Sequence, residues 1–149
     1  MKKTLFAVLT LLAVLPAAQA ACTFSSQANG EVNAIIKAHG NWPVSDAQCA
    51  ALNAKKLTLV VNGQATVLDG VSVAWANVTV LDTALHIKAD SVQWVTRVNA
   101  KQASMDVAEK MQYDAIADAV DGYDFTEAAK QIDAYRAKAA ASVKQPAKR

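Results

Sequence analysis

The sequence predicts an α+β domain in which two helices precede a four- or five-stranded antiparallel meander sheet and a helical hairpin packed on that sheet follows. The sheet is predicted from residues 57–98, which are dense in β-branched and aromatic side chains. Asn62-Gly63 and Asp69-Gly70 interrupt this region, and both dipeptides are typical of tight hairpin turns. The helices are predicted from apolar residues that recur every three or four positions.

The chain begins with a pattern that is typical of a secretory signal peptide. A basic N-terminus leads into a short apolar run, and small residues at Ala18 and Ala20 form a cleavage motif. The apolar run is too short for a comfortable membrane span. We therefore expect a signal peptide at residues 1–20, a single domain at residues 21–143 and a frayed basic tail at residues 144–149. The expected location is periplasmic or secreted.

The charge of the chain gives no sign of a nucleic-acid partner. It has 15 basic and 13 acidic residues, and two of the basic ones, Lys2 and Lys3, lie in the expected signal peptide. The mature chain is then electrically balanced, which argues against binding to nucleic acid or to an anionic membrane. After the signal, no apolar segment is long enough to span a bilayer. The expected partner is another envelope or extracellular protein.

The two cysteines, Cys22 and Cys49, predict one structural disulfide because an exported chain folds in an oxidising compartment. The alternative is that Cys22 is the lipid-modified first residue of a lipoprotein. That interpretation needs Leu or a similar residue three positions earlier, where this chain has Gln19, and it leaves Cys49 unpaired. Neither cysteine belongs to a Cys-x-x-Cys pair, so redox chemistry is the weakest interpretation.

Two short helices are predicted before the sheet. The spacing of apolar residues predicts a helix over residues 27–39 that ends at Gly40. Ser45 and Gln48 form a capping box that opens the second helix. Trp42 lies in the connector between the two helices, where an exposed aromatic side chain would be a favourable contact for a protein partner.

The register of the first predicted hairpin has two solutions. A two-residue turn at Asn62-Gly63 mixes polar and apolar side chains on both faces of the sheet, whereas a three-residue turn separates them. The second solution is favoured because it gathers the apolar residues on one face. Those residues are Leu57, Leu59, Val61, Ala65 and Val67.

The next strands show a change in the phase of their apolar residues. Apolar residues occupy odd positions as far as Trp75 and then switch to even positions, which predicts either a bulge near Ala76-Asn77 or a strand that is covered on both faces. Trp75 and Trp94 fall on the apolar side of their own strands. Both tryptophans are therefore predicted to lie in the core.

The C-terminal part reads as two capped helices. Ser104 is a suitable N-cap for a helix that runs to about Asp121 and ends at Gly122. Asp124 and Glu127 form a second capping box, and the helix that follows is predicted to run to the end of the domain.

No set of residues predicts catalysis, so the chain is expected not to be an enzyme. No Ser or Cys stands in a nucleophile motif near His39 or His86, and a small hydrolase using His86 with an aspartate is the weakest hypothesis. The leading hypothesis is an exported, non-enzymatic interaction module of the inhibitor or accessory-factor type. The alternative is a small-ligand carrier in which His86, Tyr113 and Tyr135 line a pocket between the sheet and the C-terminal helices.

An acidic face is predicted on the first C-terminal helix, formed by Asp114, Asp118 and Asp121. The helical spacing of these residues suits a divalent cation, but the calcium-loop template fails around Gly122. A solvated face is the favoured interpretation. We therefore expect no metal site and no cofactor.

Overall fold

The computed structural model describes residues 22–143, which form an α+β fold with a mixed five-stranded sheet and four helices within that range. The expected signal peptide at residues 1–20 and the expected basic tail at residues 144–149 lie outside the described residues. In chain order the elements are β1 (Ser25–Ala28), α1 (Gly30–His39), α2 (Asp46–Lys55), β2 (Thr58–Leu68), β3 (Val71–Asp82), β4 (Ile87–Lys88), β5 (Gln93–Asn99), α3 (Met105–Asp121) and α4 (Phe125–Val143).

The sheet is mixed, so the prediction of a purely antiparallel meander is wrong. β2 to β5 pair antiparallel, with β4 and β5 both paired to β3, but β1 lies parallel to β2 at the edge. The sequence of β1 is short and polar, and its last residues, Gln27 and Ala28, fit the helical spacing of the segment that follows. The first helix instead begins at Gly30, after the Asn29 side chain accepts a hydrogen bond from the Val32 amide at 2.9 Å.

β2 and β3 form one long hairpin around Asp69-Gly70, and the predicted turn at this position is confirmed. Both turn residues have positive φ, 48° and 79°, as a two-residue type I′ turn requires. The turn predicted at Asn62-Gly63 is wrong, because β2 runs through these residues without interruption.

The pairing of β2 with β3 keeps one register from end to end, so a bulge near Ala76-Asn77 is wrong. The alternative is confirmed, since every residue from Val78 to Asp82 is buried, as in a strand that is covered on both faces. The apolar residues of β2 nevertheless lie together on one face of the sheet, as their pattern predicts, because alternate residues of a strand share a face. The helices cover the face that carries Leu57, Leu59, Val61, Ala65 and Val67.

The predicted disulfide between Cys22 and Cys49 is confirmed, and it ties the segment before β1 to α2. A closed loop of this length adds about 3–4 kcal/mol to the free energy of unfolding on the chain-entropy model. Asn53 reinforces the junction, since its side-chain amide donates to the Thr23 carbonyl at 2.8 Å.

The helix ends follow the predicted capping residues. Ser45 and Gln48 form a complete capping box at α2, and α1 ends at Gly40 in the left-handed conformation. Ser104 caps α3, and the Asp124 side chain accepts from the Glu127 amide at 2.9 Å at the start of α4.

The C-terminal helices do not pack on the sheet as an equal pair. α3 lies along β2, β3 and β5, whereas α4 packs mainly against α2 and the β4 end of the sheet. The predicted hairpin therefore places one helix on the sheet and the other at its edge.

α3 approaches the sheet closely because the residues beneath it are small. Gly63, Ala74 and Ala76 are buried on the face that α3 covers, and the Gln112 side chain of α3 lies next to Gly63. A Cβ atom added at Gly63 would lie 2.7 Å from the Trp75 carbonyl oxygen and 3.1 Å from Gln112 Nε2. Glycine inside a strand often marks such a close approach, which explains why Gly63 occurs here without a turn.

Replacing Gly63 with Ala should lower the free energy of unfolding by about 2 kcal/mol, because the added methyl group would overlap the Trp75 carbonyl of β3 and crowd the Gln112 side chain of α3, so that the strands must shift. Gly30→Ala is the matched control, since a Cβ atom at Gly30 meets nothing within 4 Å. Its effect should stay within about 0.5 kcal/mol. Urea unfolding of both variants measures the difference, and equal stabilities would contradict the close approach.

Candidate binding surface

The two faces of the sheet differ in the size of the residues that they carry. On β3 the even residues face the helices, and those under α3 are small: Ser72, Ala74 and Ala76. The odd residues point to the opposite face, which we call the open face, and include Val71, Val73 and Trp75. In the half of the sheet nearest the Asp69-Gly70 turn, the larger apolar side chains of β3 therefore point away from the helices.

The neighbouring strands extend this apolar surface. We call the result the tryptophan patch. It consists of Leu68, Val71, Val73, Trp75, Trp94 and Val98. Leu68 and Trp94 are each 58% exposed and Val98 is 64% exposed. Among residues 22–143, no helix covers this half of the open face. An exposed apolar cluster of this kind is typical of a contact surface.

Trp75 and Trp94 form the centre of the patch. Their rings are stacked, with centroids 5.2 Å apart and an interplanar angle of 27°. The prediction that both lie in the core is wrong, since Trp75 is half-buried and Trp94 is exposed. The alternation of apolar residues correctly identifies the side of the strand on which each tryptophan lies, but that side is the open one. On β3, the covered side beneath α3 carries only the small residues Ser72, Ala74 and Ala76.

The strand residues that border the patch on the open face are polar and uncharged, and two charged residues lie at the margins of this surface: Asp69 in the turn after Leu68, and Lys88, which lines a pocket with Asn62. Asn62, Gln64 and Thr66 of β2 alternate onto the open face, as do Asn77 and Thr96 of the next two strands. The charge nearest to them in β5, Arg97, points to the covered face and pairs there with Asp118. Depletion of charge around exposed aromatic residues is the compositional signature of the centre of a protein interface.

Trp42, the contact residue that the sequence suggests, lies on the other side of the sheet. Its ring is half-buried, packs against the core and meets Phe24 edge-to-face at 6.2 Å between centroids. The structure therefore leaves Trp42 less accessible than Trp94. The sequence feature that could have identified Trp94 instead of Trp42 is the run of small residues at the even positions of β3. This run indicates that the opposite side of β3, with the larger apolar residues, is the open face.

The three residues proposed for a ligand pocket lie in different surroundings. His86 has positive φ in the exposed turn before β4, and Tyr113 stacks on His39 with centroids 4.1 Å apart. Tyr135 donates a hydrogen bond to Asp90 Oδ2 at 2.5 Å, and this bond raises the pKa of the Tyr135 hydroxyl. Among the described residues, no hydrogen bond or aromatic contact joins any two of the three.

The acidic face of α3 is partly neutralised by basic neighbours. Lys110 Nζ lies 2.9 Å from Asp114 Oδ2, and Arg97 pairs with Asp118. Within residues 22–143, no group of three or more His, Cys, Asp or Glu side chains is arranged to hold a metal ion.

A buried carboxylate at the end of β3 links the sheet to α4. Asp82, with a side chain only 4% exposed, accepts a hydrogen bond from Arg136 Nε at 2.6 Å. The Ala84 and Leu85 amides also bond to Asp82, and together these donors outweigh the effect of burial and hold the pKa of Asp82 below its usual value. Arg136 Nη2 also donates to the Lys55 carbonyl at 2.9 Å, so the pair fastens α4 to α2 as well. Each of the three guanidinium nitrogens of Arg136 donates a hydrogen bond, and both carboxylate oxygens of Asp82 accept one or more, which is typical of a structural ion pair.

A groove of about 250 Å³ lies between α2 and α4. Its walls are mostly apolar and its rim carries Lys55, Lys130 and Asp133. The apolar lining residues are Ala51, Leu52, Ala54, Leu57, Phe125 and Ala129. The volume lies just below the range that is usual for pockets that enclose small molecules.

Comparisons of the chain with protein-family models, with curated proteins and with solved structures return no significant match. The helices found between residues 22 and 143 include none with the length and hydropathy needed to cross a bilayer.

Asp82→Asn should lower the free energy of unfolding at pH 7 by about 2 kcal/mol, because it leaves Arg136 without its buried counter-charge. The effect is smaller than for a fully buried pair, since the Arg136 side chain is 30% exposed. A depressed folded pKa means that the stabilisation is present above the unfolded value of about 3.9 and is lost as the pH falls through the folded value.

The difference between wild type and Asp82→Asn should therefore shrink below about pH 4. Urea unfolding at a series of pH values measures it. Asp69→Asn, in the exposed turn, is the control and should change stability by less than about 0.5 kcal/mol. A difference that stays constant down to pH 2 would contradict the role assigned to the ionised Asp82.

Proposed function

We propose that the protein is an exported, non-enzymatic binding module and that its tryptophan patch contacts another envelope or extracellular protein. The observation that carries this proposal is the stacked Trp75–Trp94 pair on an uncharged apolar face that no described helix covers. Antiparallel sheets with one solvated face normally place polar residues there. An apolar face in the same position favours a surface that is covered by a partner.

The chemistry of the patch suits a protein rather than a charged ligand. Tryptophan is the residue type most enriched at the energetic centre of protein interfaces, and neutral polar neighbours form a suitable rim. Asn62, Gln64 and Thr66 supply such a rim along β2. The expected partner presents a complementary apolar surface without charge at its centre.

The disulfide is consistent with an oxidising compartment. The basic and apolar N-terminal pattern further supports export to the periplasm or beyond the cell. An inhibitor or accessory factor of the envelope is the class of protein that these features support.

A photoreactive residue placed at Trp94 should crosslink in intact cells to one specific protein other than this chain itself, whereas the same residue at Leu85 should not. Leu85 is the matched control because it is also an exposed apolar side chain but lies outside the patch. Mass spectrometry of the crosslinked product identifies the partner. Equal crosslinking at the two positions would contradict the proposal.

Val73→Lys should weaken binding to the purified partner by at least about 30-fold, because it places a charge at the centre of the apolar contact. Leu85→Lys introduces the same change outside the patch and should leave affinity unchanged. Circular dichroism verifies that both variants are folded. Unaltered affinity of the Val73→Lys variant would remove the patch from the interface.

A small-ligand carrier is the second candidate, and the groove between α2 and α4 is the observation that favours it. If the groove carries a ligand, freshly purified protein should show an additional mass under native conditions. Ala51→Phe, which fills the groove, should abolish that mass, whereas the control Ala50→Phe should retain it, since Ala50 is exposed outside the groove. Native mass spectrometry that shows only the apoprotein would exclude this function.

A further inference from the structure

We propose that the outer edge of β5 pairs with β5 of a second copy of this chain, antiparallel and about a twofold axis at Thr96. The inference goes beyond the proposed function, because it concerns the edge of the sheet and not the face that receives the partner protein. Three observations support it. The other sheet edges are protected, alternate N–H and C=O groups of β5 point outward, and the apolar side chains of β5 are placed symmetrically about Thr96.

The free edge of β2 is protected by α1. Asn29 Nδ2 donates to the Gly63 carbonyl at 2.8 Å, and Glu31 Oε1 accepts from the Ala65 amide at 2.6 Å. The strand that continues this edge, β1, has only four residues, and β4 at the opposite edge has two. Short strands and side-chain caps are the usual protection against edge-to-edge pairing.

β5 is seven residues long and carries none of these protections. It contains no proline, and its pairing with β3 runs without a bulge from Gln93 to Asn99. Its one charged residue, Arg97, points to the helix-covered face and is held there by Asp118. The outer edge of β5 is therefore the long edge that remains available among the described residues.

The direction of the outer backbone groups follows from the register of the sheet. Gly63 and Ala65 turn their backbone groups away from β3 toward α1, so the residues between them bond to β3. By the same alternation Ala76 bonds toward β5, where its partner is Val95. The alternate residues of β5 therefore direct their amides and carbonyls outward, and these residues are Trp94, Thr96 and Val98. Within residues 22–143, no backbone hydrogen bond reaches them from the outside.

A twofold axis at Thr96 satisfies all three outward residues at once. Thr96 then pairs with Thr96 of the second copy, and Trp94 pairs with Val98 of the second copy in both directions. Each of these pairs exchanges two backbone hydrogen bonds. An axis shifted by one residue to either side pairs only two of the outward residues, so the Thr96 axis is the favoured register.

The side chains are complementary in the same register. Trp94 and Val98, the two most exposed apolar residues of β5, come to lie opposite each other on the open face. Cross-strand pairs of aromatic and β-branched residues stabilise antiparallel sheets. No like charges meet on that face, because the three outward residues are all uncharged. These features select a second copy of the chain as the occupant of the edge.

The contact is small, so the dimer should be weak, with a Kd of the order of 10–100 μM. Although the dimer is weak, it changes the shape of the surface that is available to a partner. The two sheets become one, and the tryptophan patches of the two copies lie on the same continuous surface. A partner with a repeated or symmetric surface could then bind both patches together and gain from multivalency.

The full mature chain should sediment as a monomer at about 1 μM and shift toward a dimer by about 200 μM. Thr96→Pro removes an outward amide without removing a bond to β3, and it should reduce dimerisation by at least tenfold. Thr96→Val keeps the amide and should dimerise like the wild type. Circular dichroism establishes that the Thr96→Pro variant is folded.

Disulfide trapping tests the register. Thr96→Cys should form an intermolecular disulfide, because Cα atoms in a hydrogen-bonded pair lie about 5.5 Å apart, within the range for disulfides. Trp94→Cys alone should not crosslink, since the two thiols would lie about 14 Å apart along the strands. A mixture of Trp94→Cys and Val98→Cys should crosslink.

Four outcomes would overturn the proposal. These are a monomer at all concentrations, a dimer that survives Thr96→Pro, trapping at Trp94→Cys instead of Thr96→Cys, and pairing of β5 with a strand of another protein only. Failure of the proposed function is distinguishable. Affinity for the partner protein, measured on the wild-type chain at about 1 μM where it is monomeric, tests the face, whereas sedimentation up to about 200 μM without the partner tests the edge.

Discussion

Helix α3 lies directly on β2 and β3 because the residues between them are reduced to glycine, alanine and serine. Gly63 lets Gln112 and the Trp75 backbone approach, and no larger residue fits there without a shift. The buried Ser72 hydroxyl accepts from the Ser104 amide at 3.0 Å and anchors the start of the helix to the sheet. Since the covered side of β3 beneath α3 carries only small residues, the larger apolar side chains in this half of β3 lie on the open face. That constraint creates the tryptophan patch.

Short-range chemistry allows much of the fold to be predicted from the sequence. The caps at Ser45 and Ser104, the Asp69-Gly70 turn and the disulfide depend on a few adjacent residues or on two cysteines, and each is confirmed. The prediction of a turn at Asn62-Gly63 is wrong, because Gly63 is required by the close packing of its neighbours inside β2 and not by a turn. β1 is missed because a four-residue polar strand depends on its ladder with β2 and has no pattern of its own.

The candidate site is harder to predict for a related reason. Alternation identifies the two sides of a strand, but it assigns the apolar side to the core only when the covering element leaves room for large residues. Trp94 is apolar and on the apolar side of β5, yet it is exposed. The information that reverses the assignment lies in β2 and α3, far along the chain. The disulfide fastens α2 and the Asp82–Arg136 pair fastens α4, and no helix of the described residues covers the half of the open face that carries the tryptophans.

Oxidative footprinting of the three tryptophans in dilute purified protein tests the central claim most directly, because it measures which face of the sheet meets solvent. The structure predicts that Trp94 is modified fastest and that Trp42, which is half-buried against Phe24 and the core, is modified more slowly. Trp94 should become protected when the partner is added. If Trp94 is instead the slowest of the three in the isolated monomer, the face is covered within the chain itself and the account is wrong.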